Sequence, residues 1–390
     1  MDIDKIRKDT LNCENIIHFN NAGASLPPRI VNQAIKAFLT EEEYVGGYEM
    51  AAKHTEDING IYTEIAKLIR SEVDEIAITD NASTAFSKAL YAIPFSPDDE
   101  IITSEIEYSN NFLNYLKLKN DKGVQIITIP GNDQGPVDIE LLKKSLSKKT
   151  KLVSITHMPT SSGAIAPVAE IGEITKNHGA FYMIDSCQSI GQYPTYVDEV
   201  HCDFLTATSR KYLRGPRGMG FLYANKNIYP KLDPYMLEAI GANWESEQKY
   251  ELNYTSKMFE CFEKPYATMM GFQEAIRYAN ELGIENIWKR IKSLAEFARE
   301  KFRNIEGVTI QDGPGHEWSG IITLTSNKNT SEEIHQHLQA HKVNSSICLP
   351  FTSLSDMNNK NIDSSNRLSL HYYNTKEEIE RVAHILQNLK

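Results

Sequence analysis

DFLTATSRKYLRGPRGMGFLY, residues 203–223, holds two short apolar runs joined by a loop that carries Arg210, Lys211, Arg214 and Arg217. The loop is too short for a crossover helix, and a parallel connection needs a dozen or more residues. MGFLY (219–223) is therefore expected to run antiparallel, at one edge of a sheet. The GPRG turn between the runs calls for tight backbone geometry, which glycine supplies at little steric cost.

Upstream, the same kind of run recurs: EIAIT (75–79), EIITS (100–104), VQIITI (124–129), KLVSITH (151–157) and FYMID (181–185). Between them STAFSKALYAI, NNFLNYLKLK, VDIELLKKSL and PVAEIGEITKNHG read as helices. Seven runs alternating with helices predict an α/β domain built on a mainly parallel sheet. After residue 265 the pattern changes. Two long helical segments lead to GIITLT (320–325), the helix SEEIHQHLQAH, VNSSI (343–347), RLSLHYY (367–373) and a final helix, TKEEIERVAHILQNL. The expected organisation is an N-terminal segment over 1–48, a large α/β domain over 49–264, and a small α+β domain over 265–390.

Composition narrows the function classes. The chain has 390 residues, 41% hydrophobic and 24% charged, an ordinary globular balance. A net charge of −11 argues against nucleic acid as the partner of the basic loop. MDIDKIRKDT carries no apolar leader core, and no stretch approaches eighteen uncharged apolar residues, so no membrane role is expected. Five scattered cysteines fit a cytoplasmic chain without a disulfide framework. His335, His337 and His341 lack a cysteine or carboxylate at ligand spacing within their cluster and read as a solvated helix face, so no metal is expected.

In an open α/β sheet, ligands bind beyond the carboxyl ends of the strands, so the strand ends form a candidate site. EIAIT ends at Asn81-Ala82-Ser83-Thr84, where free N–H groups and hydroxyls could hold an anion or simply cap the helix. FYMID ends in Asp185, a carboxylate suited to a protonated ring nitrogen or to capping the next turn. Lys211 follows on the next strand's exit. Crowding by Arg210, Arg214 and Arg217 would depress its pKa and make it a better amine nucleophile. The alternative is four cations that contact phosphate or solvent.

Tyr108, Thr160, Asp185, Gln188, Thr208 and Lys211, with GPRGMG after the lysine, resemble the class V aminotransferase-fold enzymes. These are pyridoxal 5'-phosphate proteins of fold type I, and the group includes cysteine desulfurases, isopenicillin-N-epimerase-like proteins and hercynylcysteine sulfoxide lyases. The likeness runs from HFNNAGASLPP to HYYNTKEEIERV. It implies that Lys211 carries the cofactor as a Schiff base, that Asp185 pairs with the ring nitrogen, and that Gln188 and Thr160 lie near the ring hydroxyl. Tyr108 would stack on the ring in the place usually held by histidine. Ser83, Thr84, Thr208 and Arg210 would hold the phosphate, and Arg367 would fork onto a substrate carboxylate. A homodimer is implied as well.

Two departures bear on the activity. The desulfurase segment R-x-G-x-x-C is replaced by VNSSICLPFTSLSDMNN, in which Cys348 lacks the preceding arginine and glycine. The G-T-x-N turn that reaches a neighbouring subunit's phosphate reads FEKP (262–265). EEEYVGGYEMAA and V-N-S-S resemble the sulfoxide-lyase branch, in which Gly46, Gly47 and Tyr48 would line the active site; a helix break is the alternative. The expected activity is a carbon–sulfur β-lyase on a cysteine S-conjugate. Cysteine desulfuration through Cys348 is the alternative, and transamination or epimerisation shares the first steps.

Overall fold

The structure, a computed structural model, describes residues 1–313, 315 and 317–389. Seven strands form the large sheet: β1 (Ile76–Thr79), β2 (Glu100–Ser104), β3 (Gln125–Ile129), β4 (Thr150–Thr156), β5 (Phe181–Asp185), β6 (Phe204–Thr208) and β7 (Gly220–Ala224). Their order across the sheet is β1-β7-β6-β5-β4-β2-β3. All pairings are parallel except those of β7, which is antiparallel to both β1 and β6. MGFLY thus runs in the expected direction, but it is not an edge strand. It is inserted between β1 and β6, and β1 takes the edge. The short loop dictated only that β7 turn back beside β6; it carried no information about what lies on β7's other side.

Alternate residues of the strands serve two cores, as the period of two requires. Ile78, Ile102, Val153, Ile184, Leu205 and Phe221 join the cluster that includes helices Thr55–Ile69, Val168–His178 and Tyr266–Leu282. Their neighbours Ala77, Ile101, Leu152, Met183, Phe204 and Leu222 join the cluster of helices Ala82–Ala92 and Ser109–Lys122 on the other face. Burial on both faces explains why these strands read as continuous apolar runs rather than alternating ones.

A second, four-stranded antiparallel sheet follows: Val308–Ile310, Ile321–Ser326, Ser365–Ser369 and Ser346–Cys348, in that spatial order. Ile322, Leu324 and Leu368 share a third core with helices Ile284–Arg303, Ser331–Ala340 and Lys376–Gln387. The N-terminal segment is stitched to this part, with Ile17–His18 pairing in parallel with Val343–Asn344. Helix Tyr266–Leu282 packs instead on helices Arg29–Val45 and Thr55–Ile69.

In the large sheet the connection from β2 leads outward to β3, whereas that from β4 leads the other way to β5. The strand order therefore reverses between β2 and β4, and a crevice opens there at the carboxyl ends.

Candidate active site

Asn81, Ser83, Tyr108, Asn111, Thr156, Thr160, Asp185, Cys187, Gln188, Thr208, Arg210 and Lys211 line one cavity at these carboxyl ends. The strand-end reading thus converges on a single place, though the elements that supply it lie far apart in sequence.

One wall of the cavity is the N-terminus of helix Ala82–Ala92. Asn81 caps helix Ala82–Ala92, its Oδ1 accepting from the Thr84 N–H at 2.9 Å. Ser83 is left exposed toward the cavity, and its Oγ accepts from Asn110 Nδ2 at 3.2 Å. Thr84 itself does not line the cavity. Its amide is taken by the Asn81 cap. Gly220, the first residue of β7, makes the wall possible: a Cβ there would lie 2.8 Å from Asn81 C and 2.9 Å from Ala82 N. Only glycine lets the returning strand approach the helix N-terminus so closely.

Asp185 ends β5 and is buried. Its Oδ1 accepts from the Cys187 N–H and its Oδ2 from Asn111 Nδ2, both at 2.9 Å. Gln188 is 3% exposed; its Nε2 donates to Ala22 O at 3.3 Å and Thr160 Oγ1 at 3.5 Å, while its Oε1 has no partner among the described residues. A buried orphan acceptor beside a cavity is costly unless a ligand donates to it.

Lys211 lies past β6. Burial lowers its pKa; the Cys187 and Asp185 side chains oppose that shift, and Arg210 and Arg367 reinforce it. The expected depression is present, but its main cause is desolvation rather than crowding by the loop's own arginines. Arg210 also lines the cavity, its Nη1 bonded to Gly23 O. Arg217 is exposed and acts on Arg210, whose pKa is lowered first by burial. Arg214 is engaged elsewhere. It is 1% exposed, at φ 62°, and donates to Leu26 O (2.7 Å), Tyr372 Oη (2.9 Å) and Thr10 Oγ1 (2.6 Å). Its guanidinium carbon lies 4.6 Å from the Tyr373 ring centroid, within cation–π range.

Tyr108 is half-buried, with its pKa raised first by burial and then by Asp185 and Cys187. Arg367 adjoins the cavity through Thr160: its Nη1 donates to Thr160 Oγ1, and its Nη2 reaches Asn20 Oδ1 at 3.4 Å. Its buried Nε has no partner among the described residues. Cys348 lies behind Thr160, buried, its Sγ donating to Thr160 O at 3.4 Å. Burial pushes this thiol's pKa up, against the lowering by Arg367.

Tyr48 is not brought to this site. Gly46, at φ 93°, breaks the helix there, and Tyr48 is 79% exposed in a separate groove with Leu39, Phe262 and Tyr266. The histidine cluster turns to structural partners: His335 Nδ1 meets Ser345 Oγ at 2.9 Å, and His337 Nε2 meets Ile385 O at 3.1 Å. Asn111 and Cys187 were not anticipated. Asn111 is the second residue of NNFLNYLKLK, and Cys187 lies between Asp185 and Gln188; neither stood out until the fold placed it.

The donor set matches pyridoxal 5'-phosphate in chemistry. A helix N-terminus with Ser83, Thr208 and Arg210 suits a dianionic phosphate. Asp185 suits a protonated ring nitrogen, the Gln188 Oε1 acceptor suits a ring hydroxyl, and the Lys211 amine suits an aldehyde.

Comparison with known proteins agrees with this chemistry. The family model described as Aminotransferase class-V matches residues 16–382. A probable cysteine desulfurase of Methanothermobacter thermautotrophicus is 26% identical over 100% of this chain and 98% of its own. One of Pyrococcus abyssi is 26% identical over 98% of this chain and 96% of its own. Among solved structures, the apo cysteine desulfurase of Thermococcus onnurineus superposes with a TM-score of 0.92 at 24% identity, covering 99% of this chain and 97% of that one. A cystine C-S lyase in complex with its product cysteine persulfide gives 0.86 at 20% identity, with 96% and 98% covered. At these identities the structural likeness speaks for the fold.

Proposed function

The chain belongs to the aminotransferase class-V family of pyridoxal-phosphate enzymes, and from that premise we propose that it breaks the carbon–sulfur bond of cysteine. The observation that carries this reading is the unpartnered, buried Nε of Arg367 beside the Lys211 cavity. Thr160 and Asn20 take part of that guanidinium, and an α-carboxylate would take the N–H groups they leave over, which fixes an amino acid's Cα beside Lys211. The curated relatives are named cysteine desulfurases, and this moves cysteine itself ahead of an S-conjugate as the substrate.

When bound, the cofactor takes up the electron pair released at Cα. The chain's own residues do the rest. Ser83, Thr208 and Arg210 hold the phosphate, and Asp185 holds a proton at the ring nitrogen. Gln188 and Thr160 would orient the ring, and Tyr108 lines the same cavity. Lys211 would hold the cofactor's aldehyde carbon through its amine. Its Nζ, neutral at lower pH than an ordinary lysine because of burial, then removes the Cα proton as general base.

The sulfur can leave in two ways. In desulfuration it passes to an acceptor thiol and alanine remains; the names of the relatives support this reading, and Cys348, bonded to Thr160 O behind the cavity lining, is the candidate thiol. In β-elimination it leaves as sulfide, and the carbon skeleton ends as pyruvate and ammonia. The burial and raised pKa of Cys348 favour this second reading. Product analysis with cysteine separates them. Desulfuration predicts alanine, with turnover falling more than about tenfold in Cys348→Ala, since a nucleophile is lost. Pyruvate formed at an undiminished rate in that variant would establish elimination instead. Neither product from cysteine would end the proposal.

A further inference from the structure

A second carboxylate lies behind Asp185. Glu107 follows β2 and is 4% exposed, yet no cation pairs with it among the described residues. Hydrogen bonds surround it instead. Its Oε1 accepts from the Tyr108 N–H (2.8 Å), Asn111 Nδ2 (2.9 Å) and Thr156 Oγ1, and its Oε2 faces Thr103 Oγ1 (2.8 Å) and Tyr115 Oη (3.1 Å). A carboxylate offers about four lone-pair positions, and five groups at hydrogen-bonding distance fill them. Thr103 lies on β2 and Thr156 ends β4, so Glu107 bridges the crevice where the strand order reverses.

Asn111 links this carboxylate to the site. Its single amide nitrogen donates one hydrogen to Glu107 Oε1 and the other to Asp185 Oδ2. With the Cys187 N–H on Oδ1, both oxygens of Asp185 are oriented before any ligand arrives.

We propose that Glu107 and Asn111 are positioning residues for Asp185, joined to it by one amide into a two-carboxylate unit whose negative charge strengthens the hold on the cofactor's ring proton. The inference rests on the pairing of Asp185 with the ring nitrogen. Glu107 acts through Asn111 and through its field, without touching the cofactor. The titratable groups facing Glu107 are Asp185 on β5 and Tyr115 on helix Ser109–Lys122. Those facing Lys211 are Cys187, Asp185, Arg210 and Arg367.

The test uses the full chain, stripped of cofactor and retitrated with pyridoxal 5'-phosphate, as wild type and as Glu107→Gln, Asn111→Ala and Asp185→Asn. Two quantities are read: the dissociation constant, and the pH midpoint of the bound cofactor's visible absorbance. Glu107→Gln keeps the shape but removes the charge. Its oxygen can keep the Asn111 donor while its amide nitrogen faces the Thr103 and Tyr115 hydroxyls, which can accept, so the change isolates the charge. The dissociation constant is expected to rise about tenfold. The midpoint is expected to fall by about half a pH unit, because loss of a negative charge disfavours the protonated form. Asn111→Ala should weaken binding comparably with a smaller midpoint shift, since Glu107 keeps its charge. Should Glu107→Gln lower the melting temperature of the cofactor-free chain, Asn111→Ala decides the matter. If both variants bind within about twofold of wild type with unmoved midpoints, while Asp185→Asn alters both readings, the network only packs the core and the inference fails. If wild type takes up no cofactor, or Asp185→Asn behaves as wild type, the underlying pairing fails and takes this inference with it.

Discussion

Lys211 and Arg214 lie three residues apart on one loop, both withdrawn from bulk water, yet their surroundings differ in kind. Each nitrogen of Arg214 is engaged: two hydroxyls and a carbonyl accept from it, and the Tyr373 ring lies beside its guanidinium carbon. Those partners belong to Thr10, Leu26 and Tyr372, so one guanidinium ties both ends of the chain to the loop. Lys211 instead lines a cavity, with a carboxylate and a thiol within electrostatic reach. A buried cation whose neighbours satisfy it holds structure; one whose neighbours leave space is available for chemistry. Their intrinsic acidities sharpen the division, since arginine does not titrate in proteins, whereas lysine shifts readily on burial.

The largest effect expected from this contrast is that of Lys211→Ala, which should cost at least roughly 10³-fold in turnover and abolish the visible absorbance of the loaded enzyme. The melting temperature of its cofactor-free form should stay close to wild type. Arg214→Ala should do the reverse. It orphans three acceptors in the core and is expected to cost about 3 kcal/mol or more of stability, measured by denaturant unfolding of the cofactor-free chain. A stable Arg214→Ala protein that had lost its cofactor would break the comparison. Arg367→Lys should come next, raising KM about tenfold with a smaller change in kcat, because an ammonium cannot form the bidentate fork. The subtlest effect is on pH dependence. Cofactor capture by the stripped chain needs the neutral Lys211 amine, so its rate should climb with pH and level off below the ordinary lysine value of 10.5. A plateau at or above that value would place Lys211 in water.

The sequence disclosed the strand ends well, because a doubly covered sheet demands unbroken apolar runs and the residues that stop them face the crevice. Asp185, Thr208 and Lys211 were legible for that reason. Arg214 was misread as an influence on Lys211, since proximity along a loop says nothing about which way a left-handed residue points its side chain. Glu107 and Asn111 belong to a network whose members come from β2, β4, β5 and the helix after β2, a juxtaposition that exists only once the sheet has closed. Tyr48 was drawn toward the site by the Gly-Gly pair before it, but Gly46 serves to break a helix.

The insertion of β7 between β1 and β6 has a consequence for the order of folding. The cavity wall there needs the start of the helix at Ala82 and the start of β7 at Gly220, segments separated by about 140 residues of chain, and contacts of such separation form slowly. A nascent chain therefore carries no cofactor site until the whole sheet has been made. By mass action, cofactor bound to the finished site draws the population toward the folded state. Limiting cofactor should thus lower the lifetime of the folded enzyme while leaving its rate of folding unchanged.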